Sequence, residues 1–254
     1  MKEEDKLPPL ERYFRILELL AGLPEGATLN ELASMLALPK PTVHRLLVGL
    51  QKSMLVTVQT GHIYTLAARA RRLAVVAMDS DFVQKLSNQH LRDLVEKTGE
   101  TCYLARLQGL VVKTVAMDSP NAPWRGFVLP GKVMHPHATA SAKAILSHAA
   151  PDVIDRALDT KLPKLTKLTL TDPEAIKMEY ARVREKGYAT CIGEVDDALS
   201  AVALPIQLAD GHVDYALGVV GPSPRIAKLI EDGLVSHMRT ITEAIGTALR
   251  KAVS

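Results

Sequence analysis

The sequence predicts an α+β chain in two parts, a small helix-rich domain closed by a β-hairpin and a larger domain in which strands and helices alternate. Three observations lead there. From Leu10 to about Arg72, apolar residues recur at helical spacing in short runs punctuated by Pro and Gly, and one pair of strand-like runs follows. From about Thr101 onward, β-rich runs alternate with longer helical patterns. The 254 residues, 47% hydrophobic and 23% charged, suffice for one large or two modest domains and exclude a disordered, collagen-like or coiled-coil chain.

Taken in order, Phe14, Leu17 and Leu20 mark a first helix over Tyr13 to Leu20, which Gly22-Leu23-Pro24 stops. Thr28 with Glu31 three residues later has the capping-box pattern of a second helix, carrying Leu32, Met35 and Leu36 and ending near Ala37-Leu38. Pro39-Lys40-Pro41 forbids continuation but suits a restart, because Pro41 at the first helical position loses no hydrogen bond. The third helix places Val43, Leu46, Leu47 and Leu50 on one stripe and leaves Lys40, Thr42, His44, Arg45 and Lys52 to solvent. Leu55 to Val58 and His62 to Leu66 are predicted strands around the turn Gln59-Thr60-Gly61. Helix, helix, tight turn, helix and hairpin is the order of a winged helix-turn-helix, whose third helix fits the major groove while the wing follows the backbone.

The net charge of +3, from 31 Lys plus Arg against 28 Asp plus Glu, identifies no polyanionic partner by itself. Its local placement does. Between Pro39 and Arg72 stand Lys40, Arg45, Lys52, Arg69, Arg71 and Arg72 with no Asp or Glu, whereas residues 1–38 carry more acids than bases. An isolated charged triplet on a helix is usually just solvated. The helix order, the wing and the missing acids together point instead to double-stranded DNA. Lys40, Thr42, His44 and Arg45 are the expected recognition surface, and Gln59, His62 and Arg69, with Arg71 and Arg72, are expected to fix register on phosphates.

Between the two parts, Leu66, Leu73, Val76, Phe82 and Leu86 predict a helical connector, giving domains 1–72 and 97–254 with the connector over 73–96. In the larger domain, Cys102 to Arg106, Val111 to Met117 and Phe127 to Leu129 are predicted strands, and Ala138 to His148 a helix. Thr171-Asp172-Pro173-Glu174 starts a helix that runs to Lys186, where Gly187 caps it. Leu199 to Leu208 and Val213 to Val220 flank the hairpin signal Asp210-Gly211. Ile226, Leu229, Ile230, Leu234, Met238, Ile241, Ile245 and Leu249 give a final amphipathic helical segment, interrupted near Gly233.

Several function classes drop out. Cys102 and Cys191 form no CxxC pair, so neither a disulfide scaffold nor a thiolate zinc site is expected, and a reducing cytoplasm fits. The charged start, Met1 to Lys6, leads into no apolar run, and runs such as Leu73 to Met78 fall far short of a membrane span. His135-Pro136-His137 has the HxH spacing of metal-dependent hydrolases, the alternative reading. Only His212 and His237 lie downstream of His148 to complete such a site, so no metal is expected. Ser141 and Lys143 are two apart and not a Ser-x-x-Lys pair, no GxSxG elbow or phosphate loop occurs, and Glu194, Asp196 and Asp197 read as solvated turn acids. Neither an enzyme nor a cofactor is expected. A purely architectural DNA protein would need wedge residues and strong positive charge that are missing.

Three further blocks carry a family resemblance. His137-Ala138-Thr139-Ala140-Ser141-Ala142-Lys143-Ala144-Ile145-Leu146, then Gly187-Tyr188-Ala189 with Glu194, then Ala203-Leu204-Pro205-Ile206 through Gly218-Val219-Val220-Gly221-Pro222 and Arg225 resemble, in order and spacing, segments of the IclR family of bacterial transcription regulators. The resemblance runs from Tyr13 to Leu249. It implies a GAF/PAS-like α/β effector-binding domain with a small-molecule cavity, and homodimers pairing into tetramers through the effector domains. Against the family pattern, Cys191 stands where Asp is common, Ala201 where Cys is common, Ala142 and Ala198 where Gly is common, and Gly218 and Val220 where Ser occurs. The resemblance thus implies a pocket of Trp124, Phe127, Met134, Ala140, Ser141, Cys191, Ala201, Gly218 and Val220, with the Ser141 hydroxyl, backbone N–H groups at the start of the Ala138 helix, and Arg125 or His137 holding a carboxylate. An aromatic or similar carboxylic acid is the expected effector.

Overall fold

The structure is a computed structural model that describes residues 8–77, 80–123, 125–126, 128–208 and 211–252. The chain divides into two compact units, Met1–Ala77 with Arg250–Ser254, and Met78–Leu249.

The first unit runs α1 (Pro9–Ala21), β1 (Ala27–Thr28), α2 (Leu29–Met35), α3 (Lys40–Lys52), β2 (Val56–Gln59), β3 (Ile63–Leu66) and α4 (Ala68–Ala77). Its core joins Ile16 and Leu20 of α1 to Leu32 of α2, Val43, Leu46, Leu47 and Leu50 of α3, and Val56 of the wing. Each such side chain stabilises by about 1.5–3 kcal/mol when fully buried. The α2 capping box forms as the spacing predicts: the Thr28 backbone N–H donates to Glu31 Oε2 at 2.7 Å, and the Glu31 N–H donates to Thr28 Oγ1 at 3.3 Å. Ala37, at φ 52°, makes the left-handed turn between α2 and α3.

Three local expectations shift. The third helix starts one residue early, so Pro41 is its second residue, where a missing N–H is equally harmless. Phe14 and Met35 are about half exposed, because the buried stripes run through Ile16 and Leu20 on α1 and Leu32 and Ala33 on α2. A third strand, β1, pairs antiparallel with β3, giving the order β1-β3-β2. Two residues are too short for any periodicity to reveal.

The second unit runs α5 (Ser80–Thr98), β4 (Thr101–Gln108), β5 (Val111–Asp118), β6 (Val133–Met134), α6 (Ala140–Leu146), α7 (Pro151–Leu158), α8 (Pro173–Lys186), β7 (Ala189–Ile192), β8 (Leu199–Gln207), β9 (Val213–Pro222), α9 (Ser223–Glu231) and α10 (Leu234–Lys251). Six antiparallel strands form one sheet in the order β6-β5-β4-β9-β8-β7. The α6 helix, buried at every position, packs across β7, β8 and β9, and α8 packs on α6. Asp172 accepts the Ala175 N–H to cap α8, and Gly187 at φ 77° ends it, as expected. The final helical segment breaks at Gly233 into α9 and α10.

Most of the expected 73–96 connector lies inside the larger unit, where α5 packs on β4 and β5 through Val83, Leu91, Leu94 and Val95. Phe82, one position out of phase with that stripe, is 46% exposed. The expected strand over Phe127 to Leu129 does not form at Val128 and Leu129, and Phe127 lies outside the described residues, as does Asp210 of the hairpin signal. Pro130 has no N–H to offer a ladder, and the chain turns there, with Gly131 N–H donating to the Thr114 carbonyl at 2.8 Å. The edge strand comes after this turn, as β6. No helix among the described residues is long and apolar enough to cross a membrane.

Candidate functional site

On the first unit, α3 presents Lys40, His44 and Arg45 exposed and Thr42 half-buried, opposite the stripe that enters the core. No acid stands on this helix. The wing holds Gln59 and His62 in the open. His62 sits at φ 59° in its turn, and Gln59 Nε2 donates across the hairpin to Thr65 Oγ1 at 3.4 Å. Arg69 is exposed, with Nη1 donating to the Ser53 carbonyl at 3.0 Å, so it braces the C-terminal end of α3. Arg71 and Arg72 are half-buried on α4.

The second unit encloses a cavity of about 160 Å³ between the sheet and α6. Of the residues expected to line it, Met134, Ala140, Cys191, Ala201 and Val220 do so. Cys191 is a buried thiol whose pKa is raised, first by burial and then by the Glu194 charge, so it serves as a neutral, polarisable wall. Gly218 contributes by absence. A Cβ there would stand 2.3 Å from Cζ of Tyr103, its cross-strand partner, so the bare glycine is what lets this ring lie against the sheet.

Other expected residues lie elsewhere. Ser141 is fully buried and donates to Met134 Sδ, outside the cavity wall. His137 is buried with Nε2 3.0 Å from the Pro163 carbonyl, and its Nδ1 has no partner among the described residues. Arg125 is exposed and donates to the Pro120 carbonyl at 3.1 Å, so the cation at the cavity is Lys132 instead. Trp124 and Phe127 lie outside the described residues. The Ala138 helix begins only at Ala140, and Thr139 Oγ1 donates back to the His135 carbonyl.

Sequence reasoning missed Tyr103, Thr114, Lys132 and His135, all in the cavity wall. Thr114 had a readable signal: it is the polar residue two positions after the buried Val112, on the same phase of β5, and it lies across from Ala105 of β4. Its Oγ1 is buried without a hydrogen-bond partner among the described residues. Burial pushes the Tyr103 phenol up to about 12, against the opposing hydrogen bond with Ser141. Burial, then the charges of His137 and Lys132, lower the His135 pKa, keeping its ring neutral near pH 7.

The turn acids need one correction. Glu194 is not solvated: Lys143 Nζ of α6 donates to its Oε1 at 2.7 Å, with side-chain exposures of 2% and 13%. Thr169 Oγ1 donates to the Glu194 carbonyl at 2.6 Å and Thr166 Oγ1 to that of Gly193 at 2.7 Å, pinning the loop whose next residues, Val195 and Asp196, line the cavity. The His135 and His137 rings meet edge-on at 5.7 Å, but no cluster of three or more His, Cys, Asp or Glu able to hold a metal occurs among the described residues.

Two family models match the chain, the IclR helix-turn-helix domain over residues 9–59 and the C-terminal domain of the bacterial transcriptional regulator IclR over residues 75–247. The chain is 30% identical over 248 residues to the HTH-type transcriptional regulator BhcR of Paracoccus denitrificans, spanning 95% of this chain and 88% of that one. Among solved structures, an IclR-type chain from Silicibacter sp. TM1040 superposes with a TM-score of 0.65 at 27% identity, covering 94% of this chain and 96% of that one. An IclR homologue from Microbacterium hydrocarbonoxydans, complexed with 4-hydroxybenzoate, superposes at 0.59 with 24% identity over 95% and 99% of the two chains.

Proposed function

The chain belongs to the IclR family of bacterial transcriptional regulators, and from that premise we propose that it is an effector-responsive regulator of catabolic genes in the cytoplasm, sensing a small aromatic or similar carboxylic acid. The observation that carries the effector class is the cavity itself. At about 160 Å³ it is well below the roughly 300–1,000 Å³ of drug-sized sites, which suits one ring. Its walls at Tyr103, Met134, Ala140, Ala201 and Val220 favour a flat apolar body, while Lys132 offers a charge to a carboxylate and Thr114 a hydroxyl that has no partner among the described residues. The 4-hydroxybenzoate complex belongs to a homologue that at 24% identity shares the fold alone, so the ligand class rests on these residues.

Lys40, Thr42, His44 and Arg45 read the major groove in this proposal, and Gln59, His62 and Arg69 set the register on phosphates. Two half-sites call for a dimer, and dimers pair into tetramers through the effector domains. The effector acts by binding one mutual arrangement of the DNA-binding domains more tightly than the other. Fluorescence anisotropy on duplexes tiling the region upstream of its own gene, against random competitor, tests the regulator reading by competitor-resistant binding to one tile. Isothermal titration with a panel of aromatic acids tests the effector. Heat from pyruvate or glyoxylate and none from the aromatic acids would overturn that class.

A further inference from the structure

The second unit has another and larger cavity, about 550 Å³, at the opposite end of α6. The C-cap of that helix, Ser147, lies in its wall, together with residues that open α7 and one face of α8. On α8, Lys177, Tyr180 and Arg184 stand at i, i+3 and i+7 and therefore share that face. Arg184 is exposed, and its Nη1 donates to the Ser147 carbonyl at 2.6 Å, which anchors the guanidinium and leaves the rest of its donor fork uncommitted among the described residues. The Tyr180 hydroxyl is occupied, donating to the Pro136 carbonyl at 2.9 Å, so its ring joins Pro151 and Ile154 as apolar wall. The acid in the wall, Asp155, is held by Lys177 Nζ at 2.8 Å.

His148, in the same wall, has a buried Nε2 with no hydrogen-bond partner among the described residues. Burial, then the Arg184 charge, lower its pKa, so the ring is neutral near pH 7 and keeps both a donor and an acceptor nitrogen. A buried polar nitrogen left unpaired is uncommon in a folded protein unless a ligand or water completes it.

We infer that this cavity is a second ligand site, for an organic carboxylate whose apolar body is larger than one ring. The carboxylate pairs with Arg184 and is completed by His148, and the body lies on Pro151, Ile154 and Tyr180. The site shares no residue with the effector cavity, and it stands whatever that cavity binds.

Isothermal titration of the full chain with 1-naphthoate, a two-ring carboxylate, tests it. Arg184→Gln, on an exposed side chain, should weaken binding by about tenfold or more. Ile154→Trp should obstruct the apolar wall and weaken binding severalfold, whereas Ala140→Leu, which narrows the effector cavity, should leave it unchanged. No binding by the native chain at millimolar 1-naphthoate, binding indifferent to both Arg184→Gln and Ile154→Trp, or binding lost only in Ala140→Leu would each overturn the site. Thermal melts establish that the variants fold, and should Ile154→Trp fail to do so, Arg184→Gln alone decides.

Discussion

Adding one methyl group at residue 218 should damage the effector domain from within. In Gly218→Ala the new Cβ would lie 2.3 Å from Tyr103 Cζ and 2.6 Å from its Oη, too close for any real contact. Tyr103 is 2% exposed, and it sits across from Gly218 in the β4–β9 ladder, so its ring has little room to yield except toward the cavity. Overpacking of this kind costs about 1–3 kcal/mol. Replacing a strand glycine by alanine returns about 0.5–1 kcal/mol of chain entropy, so the net loss should be roughly 1–2 kcal/mol. At about 2–4 °C per kcal/mol, scanning calorimetry should show a melting temperature lower by roughly 2–8 °C. The displaced ring should also weaken binding of an aromatic acid to the cavity. In a Tyr103→Leu background the same Gly218→Ala change should be nearly neutral, because the ring it strikes is gone. An equal cost in both backgrounds would refute the reasoning.

Three other changes have equally definite outcomes. Lys143→Met strands the Glu194 carboxylate in a place 13% exposed and should cost about 3 kcal/mol or more, while Lys143→Met with Glu194→Leu should recover most of it; urea denaturation measures both, and a harmless single change would show the pair to be dispensable. The lowered His148 pKa means that the folded state takes up this proton less readily than the unfolded chain. The stability it contributes is therefore present above pH 6.5 and is lost as pH falls through the range below, so His148→Gln should flatten the drop in melting temperature between about pH 7 and pH 5, and parallel curves would exclude the effect. Arg45→Ala should weaken operator binding by about 1–3 kcal/mol and relax sequence preference, whereas Arg69→Ala, at a residue proposed to contact phosphate, should weaken all duplexes alike and reduce the salt slope by about one; anisotropy titrations at several salt concentrations separate the two, and unchanged operator affinity would remove either residue from the DNA-binding surface.

The two halves of the molecule were unequally legible. In the DNA-binding unit, the signals were local and the elements followed from them: Thr28 and Glu31 are three residues apart, the buried stripe of α3 repeats within a dozen residues, and the acids missing from 39–72 can be counted. The cavity was only half legible. Met134, Ala140, Cys191, Ala201 and Val220 were identified through a family resemblance, whereas Tyr103, Thr114, Lys132 and His135 were not, because what brings them to one place is strand pairing. Arg125 and His137 carry the right chemistry for a carboxylate, yet their hydrogen bonds go to the carbonyls of Pro120 and Pro163.

By itself the sequence determined the α+β class, the helix order with its wing, the basic surface of α3 and the start and end of α8, since each depends on hydrophobic period, capping or charge within a few residues. Only the tertiary structure decided that Glu194 is a buried partner of Lys143, 51 residues away, that Gly218 exists to seat Tyr103, and that α6 ends in a second cavity. Those outcomes turn on which side chains meet across a six-stranded sheet, and register and burial are properties of paired strands that no single stretch of chain contains.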